Sequence, residues 1–106
     1  MIEFRVLIPV AANDGTTFPP EHHARFELEV LSLFGGFSLL RGIVSGQWQE
    51  TASGKTYTDD SRVYVIGVGS IFDAHRVREL AEFALGLYGQ ESIYVGYLSF
   101  SEFVTR

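Results

Sequence analysis

The sequence contains no cysteine and a single lysine, and both shortages limit what the protein can do. Without thiols it forms no disulfide, no thiolate nucleophile and no cysteine-based metal site, which fits a reducing compartment. Lysine and arginine together number 8 against 13 acidic residues, for a net charge of -5. Because nucleic-acid binding depends on cationic contacts to phosphates, this balance argues against an RNA- or DNA-binding protein.

Long apolar runs are also absent, since no stretch approaches the roughly 18 residues that span a bilayer. The amino terminus carries Glu3 and Arg5 among its apolar residues, unlike the continuous apolar segment of a signal peptide. We therefore expect a cytoplasmic protein with no membrane partner. A length of 106 residues, 46% of them hydrophobic, predicts one domain over residues 1–106.

Hydrophobic periodicity predicts a strand, a helix and a second strand in the first half of the chain. Apolar residues alternate over residues 2–10, which is typical of a strand. Pro19 and Pro20 favour a helix start, and the glycines after Phe34 favour its end. Residues 37–49 then predict one long strand, in which Gly42 and Gly46 indicate a bulge, a bend or close packing, and a strand that coils around the domain is the favoured interpretation.

The second half predicts a strand, a helix and a strand. Residues 52–55 form the expected hairpin turn and residues 56–68 the returning strand. A second helix, with Asp73 as its N-cap, ends at Gly89. Its apolar stripe has helical spacing and comprises Val77, Leu80, Ala81, Ala84, Leu87 and Tyr88. Residues 91–98 predict the last strand. The order β-α-β-β-α-β predicts an α+β ferredoxin-like sandwich, with a four-stranded antiparallel sheet and both helices on one face.

The predicted strands carry apolar residues on both faces, although the helices can cover only one. Adjacent pairs such as Val65–Ile66 and Tyr94–Val95 point to opposite sides of the sheet. A face exposed to water is expected to carry polar residues in alternation, and large apolar patches are rare on monomers. We therefore predict a homo-oligomer, as a dimer packed sheet to sheet. The alternative cover is the carboxy-terminal tail, folded back over the sheet.

Three segments of the chain resemble small bacterial and mobile-element proteins. They are GGFSLLRGIVSGQW at residues 35–48, DDSRVYVIGV at 59–68 and YGQESIYVGYL at 88–98. The shared pattern is a Gly-Gly-aromatic helix end, a Gly-x-Trp, an acidic residue before Val-Tyr-Val and a Gln-Glu before the last strand. In this the chain is similar to uncharacterised families of domains of unknown function, some of them integron-cassette proteins. The resemblance implies a ferredoxin-like fold over most of the chain, and it transfers no catalytic residue.

A set of cationic and aromatic residues on the middle hairpin is the best candidate for a ligand site. Its members are Arg41, Trp48, Tyr57, Arg62 and Tyr64. If the strands pair about the turn near residues 52–54, Trp48 lies near Tyr57 and Arg41 near Tyr64. Arginine beside aromatic rings suits a planar anion or a carboxylate. The alternative, which the sequence favours, is that these residues form an interface between copies of the chain.

Other polar clusters indicate structure rather than chemistry. His22 and His23 are adjacent on a helix and cannot converge on one metal ion, so no metal site is predicted and both are interpreted as a solvated helix start. Asp60 and Arg62 share one face of a strand, which predicts an ion pair between them.

Two functions are consistent with these residues, and neither calls for a cofactor. The first is a non-enzymatic, oligomeric protein that binds a partner or a small molecule. The second is a cofactor-free enzyme of the dimeric αβ-barrel kind that acts on a small aromatic substrate. A third and weaker one is an accessory protein of a phage or a toxin–antitoxin pair. An enzyme requires an enclosed pocket with a perturbed pKa, whereas a binding module requires only an exposed groove.

Overall fold

The computed structural model describes residues 2–100 and contains five strands and two main helices. They are β1 (Ile2–Pro9), α1 (Pro20–Phe34), β2 (Ser38–Leu39), β3 (Val44–Gln49), β4 (Thr56–Val68), α2 (His75–Tyr88) and β5 (Tyr94–Phe100). The antiparallel sheet has the order β5–β1–β4, and β2 and β3 both pair with the outer edge of β4. The ferredoxin-like α+β fold predicted from the sequence is therefore confirmed.

The core lies between the two helices and one face of the sheet. Phe4 lies opposite Ile66 and Val6 opposite Tyr64, and all four side chains are buried. The helices contribute the buried residues Phe26, Val30, Val77, Leu80, Ala84 and Tyr88. Each large apolar side chain removed from water in this way stabilises the fold by about 1.5–3 kcal/mol, as an upper estimate. We call the other face of the sheet, which no helix covers, the open face.

Glycine ends both helices, as the sequence predicts. Gly35 follows α1 with φ 81°, and its N–H donates to the carbonyl of Leu31 at 2.9 Å. Gly89 follows α2 in the same left-handed region, which favours glycine. The prediction of Asp73 as the N-cap of α2 is wrong. A 3-10 turn at Ile71–Asp73 precedes the helix, and Ala74 takes the cap position with no side-chain cap hydrogen bond.

Two strand predictions also differ from the structure. The strand expected over residues 37–49 is divided into β2 and β3, and the last strand begins at Tyr94 rather than at residue 91. The carboxy-terminal tail, which the sequence offers as an alternative cover for the sheet, lies outside the described residues beyond residue 100. None of the helices within residues 2–100 is long and apolar enough to cross a membrane.

Candidate functional site

The edge of the sheet bulges outward between β2 and β3. Leu39 lies opposite Tyr64 and Val44 lies opposite Ser61, so four residues of the edge strand span two residues of β4. The chain accommodates the two extra residues at Gly42, whose φ of 81° lies in the left-handed region that favours glycine. Because the excess is even, both strands keep the alternation of their side chains between the two faces of the sheet.

This edge bulge, residues 40–43, forms one wall of an open cleft of about 570 Å³. The opposite wall is the loop after β1 and the first turn of α1. Apolar side chains dominate the lining: Val10, Phe18, Pro20, Leu39, Leu40 and Ile43. Thr17, His23, Arg41 and Arg62 supply its polar groups. A volume of this size falls within the roughly 300–1,000 Å³ that is usual for small-molecule sites.

Arg62 is held at the cleft by Glu27 of α1. Its Nη2 lies 3.4 Å from Oε2 of Glu27, and the same oxygen accepts a 2.7 Å hydrogen bond from the hydroxyl of Tyr64. Burial first, and then this hydrogen bond, raise the pKa of Tyr64 far above its usual value. The predicted ion pair of Arg62 with Asp60 is wrong, because α1 brings Glu27 to the guanidinium while Asp60 accepts a hydrogen bond from Ser45.

His23 lies in the same cleft and bonds to the second helix. Its side chain is almost completely buried, and its Nδ1 lies 2.7 Å from the hydroxyl of Tyr88. Burial, and secondarily the charge of Arg62, lower the pKa of His23 below its ordinary 6.5. The imidazole is therefore neutral at pH 7. The prediction of a solvated helix start is wrong for His23, which lies three residues before Phe26 and seven before Val30 on the buried stripe of α1.

Arg41 adds a second cation to the cleft. It projects from the edge bulge and, within residues 2–100, forms no ion pair. Glu27 offsets the charge of Arg62, and His23 is neutral at pH 7. The cleft therefore presents an uncompensated positive charge beside apolar walls, which favours an anionic group on a ligand that is otherwise apolar.

The structure brings together two of the five residues predicted for the ligand site and places a third next to them. Arg41 and Arg62 line the same cleft. Tyr64 is fully buried beside them, with the guanidinium carbon of Arg62 5.6 Å from its ring centroid. Tyr64 therefore positions Arg62 and is not itself open to a ligand. Its direct partner on the edge strand is Leu39 rather than Arg41.

The other two candidates lie farther out along the hairpin. Trp48 and Tyr57 occupy directly opposite positions, as the sequence predicts. The sequence also predicts that the indole of Trp48 belongs to the ligand site, but this side chain lies outside the described part of the structure. Tyr57 is half-buried, and Nζ of Lys55 lies 5.0 Å from its ring centroid. Tyr57 does not line the cleft, so the structure separates it from the two arginines.

Sequence reasoning missed His23 and the apolar wall contributed by Phe18. The helical spacing of His23 with the buried stripe of α1 was a readable signal for the first. No pattern in the neighbouring sequence indicates the position of Phe18. Phe18 reaches the cleft because its N–H donates to the carbonyl of Val10 at 3.0 Å and the adjoining residues Ala11 and Thr17 form an isolated β-bridge, which folds the loop back on itself.

A second groove, of about 440 Å³, lies between the two helices. It is lined by His22, Arg25, Glu82, Phe83, Gly86 and Leu87. Arg25 and Glu82 carry opposite charges, so this groove offers no excess of either sign to a ligand. Within residues 2–100, no three His, Asp or Glu side chains come together as a metal site. The cleft at the edge bulge is therefore the stronger candidate.

Comparison with known proteins identifies the fold but no family. No family model and no curated protein matches the sequence. Among solved structures, a phage SAM lyase in complex with S-methyl-5'-thioadenosine is similar at 20% identity and a TM-score of 0.67, over 89% of this chain and 77% of that one. The PII-like protein CutA from Nostoc is similar at 16% identity and a TM-score of 0.62, over 94% and 81%. CutA1 from Pyrococcus horikoshii, at 14% identity and 0.59, matches over 98% and 87%. At these identities the likeness shows the ferredoxin-like fold alone.

Proposed function

We propose that the protein is an oligomeric, non-enzymatic binding module whose ligand is a small molecule with a planar, apolar body and one anionic group. The cleft at the edge bulge is its binding site. The observation that carries this proposal is the pair of arginines in that cleft, of which Arg62 is held by Glu27 and Arg41 has no anionic partner among residues 2–100.

The two arginines take different parts in binding. The Arg62 guanidinium is fixed from below by a carboxylate and the face of a tyrosine ring, so little side-chain entropy is lost when it meets a ligand. Arg41 lies on the exposed edge bulge and closes on the anionic group from the other side. Phe18 and Ile43 provide apolar area for the planar body.

Adenine compounds are the first ligands to test. The cleft has room for a nucleoside, and the similar phage SAM lyase carries S-methyl-5'-thioadenosine. An anionic group on the ligand distinguishes our proposal from that compound, which is uncharged. Adenosine monophosphate and an aromatic carboxylate are therefore expected to bind more tightly than adenosine or S-methyl-5'-thioadenosine.

Isothermal titration calorimetry with these four compounds tests the proposal. Arg41→Gln and Arg62→Gln are each expected to weaken binding of the anionic compounds by about tenfold or more, the loss of a charge-assisted contact. Lys55→Gln is the matched control, since it removes a cation on the same hairpin but away from the cleft. Failure of every compound to bind, or an equal loss in the lysine control, contradicts the proposed site.

An enzyme is the second candidate, and the position of His23 favours it. A neutral imidazole that lines the cleft and is oriented by Tyr88 has the protonation state required of a general base. The αβ-barrel form of this hypothesis has less support, because buried side chains such as Phe4, Phe26 and Tyr64 fill the space between helices and sheet. Turnover of an added nucleoside or small aromatic substrate that is lost in His23→Asn is the result expected of an enzyme.

Self-association through the open face is part of the same proposal, as a homodimer packed sheet to sheet. Tyr94 and Val44 lie on this face with 60% and 45% of their surface exposed, and Leu7 and Val65 are half-buried beside them. A second copy would remove this apolar area from water. Light scattering at micromolar concentration is expected to give twice the mass of one chain, and a monomer at every concentration contradicts it.

The resemblance to small domains of bacterial and mobile-element proteins stays a prediction, as does a cytoplasmic location. Both are supported by the three sequence segments and by the absence of cysteine. Recovery of homologues that keep Gly35–Gly36, Trp48 and Gln90–Glu91 within integron cassettes would test the first. Fractionation of cells that express the protein would test the second.

A further inference from the structure

Two opposite charges lie next to each other at the centre of the open face. Glu3 and Arg5 are neighbours on this side of β1, which pairs with β4 on one edge and with β5 on the other. Arg5 lies between Val65 of β4 and Gly96 of β5. Its Nε is buried and has no hydrogen-bond partner within the described part of the chain. A buried N–H of a guanidinium left without an acceptor is costly, which points to an acceptor beyond the described residues.

An aromatic ring and two aliphatic side chains lie next to Arg5. A Cβ on Gly96 would lie 2.9 Å from Cε1 and from the hydroxyl oxygen of Tyr94, so the outer end of the tyrosine side chain lies over the glycine that is paired with Arg5. Leu7 and Val65 are half-buried on the same face. Tyrosine at the centre of an apolar patch, beside an arginine, is the composition typical of residues that dominate binding energy in protein interfaces.

We propose that the partner at this face is a second copy of the chain, and that Glu3 of one copy binds Arg5 of the next. In a closed symmetric assembly every copy presents the same patch, so a cation and an anion side by side on that patch complement each other across the contact. Around a two-fold axis, Glu3 meets the partner's Arg5 and Arg5 meets the partner's Glu3. The guanidinium of Arg5, whose Nε lacks an acceptor within the described part of the chain, then pairs with the partner's Glu3, and the two tyrosine rings pack beside this pair.

This inference rests on the proposed self-association and adds the residues that direct it. A foreign partner with an acidic segment would satisfy Arg5 but would leave Glu3 without a cation. A second copy satisfies both charges at once, which is why it is the occupant that the patch favours.

Complementary charge reversal tests the pairing. Glu3→Arg gives a face with two cations and Arg5→Glu gives a face with two carboxylates, so each variant alone is expected to be monomeric by light scattering at 50 mM salt. An equimolar mixture of the two variants is expected to restore the wild-type mass, and so is the double variant that carries both changes. Glu79→Arg, an exposed position on α2, is the control for the change in net charge and is expected to keep the wild-type mass.

A second variant guards against simple misfolding. Tyr94→Ser removes the central ring without altering charge, and it is expected to weaken the association at least tenfold while circular dichroism keeps its wild-type form. A monomeric wild type overturns the self-association and the pairing together. An oligomeric wild type whose mass survives both single reversals overturns the pairing alone. Reversal variants that fold but do not recombine on mixing overturn it as well.

Discussion

The hydroxyl of Tyr64 in the sheet donates a 2.7 Å hydrogen bond to Oε2 of Glu27 in α1. The same carboxylate oxygen lies 3.4 Å from Nη2 of Arg62. One carboxylate thereby fixes a buried hydroxyl, a guanidinium and the position of the helix above the sheet. For the proposed function this means a preformed cation at the cleft, held by residues that a ligand would not have to move.

Loss of this hydroxyl is expected to destabilise the fold. Tyr64→Phe removes a donor to a charged acceptor and leaves the ring packing in place, so the free energy of unfolding is expected to fall by about 1.5–3 kcal/mol. Urea denaturation measures it. Tyr97→Phe is the control, because that ring is 62% exposed and its hydroxyl makes no hydrogen bond within residues 2–100, so a change under about 0.5 kcal/mol is expected. Equal losses in the two variants contradict the role given to Glu27.

Gly35, which ends α1, is expected to stabilise the fold through its backbone conformation and not because a larger side chain would lack room. A Cβ on Gly35 would meet no atom within 4 Å, yet φ is 81°, so Gly35→Ala is expected to cost about 1 kcal/mol of stability through strain alone. Gly36→Ala is a matched control, since Gly36 has equal room and no positive φ. Thermal unfolding of the two variants separates strain from packing. A larger loss in the Gly36 variant would contradict this assignment.

The elements of the fold follow from local sequence signals. The prolines at the start of α1, the glycines after both helices and the alternation in β1 each act within a few residues, so pattern alone gives the order of elements and the ferredoxin-like class. The hairpin register, with Trp48 opposite Tyr57, also follows from the position of the turn.

The cleft could not be predicted in the same way, because it depends on contacts between distant residues. Arg62 could pair with Asp60, two residues away, or with Glu27, thirty-five residues away. It pairs with Glu27 because the packing of α1 brings that carboxylate to the guanidinium. The division of the edge strand into β2 and β3 could not be predicted from the local sequence either. The two extra residues are defined only by comparison with the paired residues of β4. Gly42 and Gly46 indicated a bulge, a bend or close packing in this strand, but not which of these or at which glycine.

Acid is expected to destabilise the protein through His23. Burial lowers the pKa of its imidazole in the folded state below the 6.5 of the unfolded chain, so near that pH the unfolded state binds more protons. The contribution of His23 to stability is therefore complete above about pH 6.5 and is lost as the pH falls through its folded pKa. His23→Asn places an amide near the position of Nδ1 for the Tyr88 hydroxyl and cannot titrate.

Urea denaturation of both proteins at pH 7.5 and pH 5.5 measures this effect. The wild type is expected to lose more stability between the two pH values than His23→Asn does, since the carboxylates that titrate in both proteins cancel in the comparison. A loss of the same size in the two proteins would show that His23 is not the group responsible.

Removal of the two extra edge residues is expected to abolish the cleft while the fold remains. Deletion of Arg41 and Gly42 leaves an edge strand that matches β4 residue for residue, and the even number keeps every side chain on its face of the sheet. The deletion also removes a residue with positive φ, so the free energy of unfolding is expected to stay within about 1 kcal/mol of the wild type or to rise. Slower hydrogen exchange at Ile43 and Val44 would report the continuous strand.

Gly42→Ala keeps the length and strains the backbone, and as a control it is expected to lose about 1 kcal/mol and gain no protection. A deletion variant that unfolds would show that the sheet requires the bulge for its twist. The exposed residues of the bulge would then be explained by the structure alone, without a ligand.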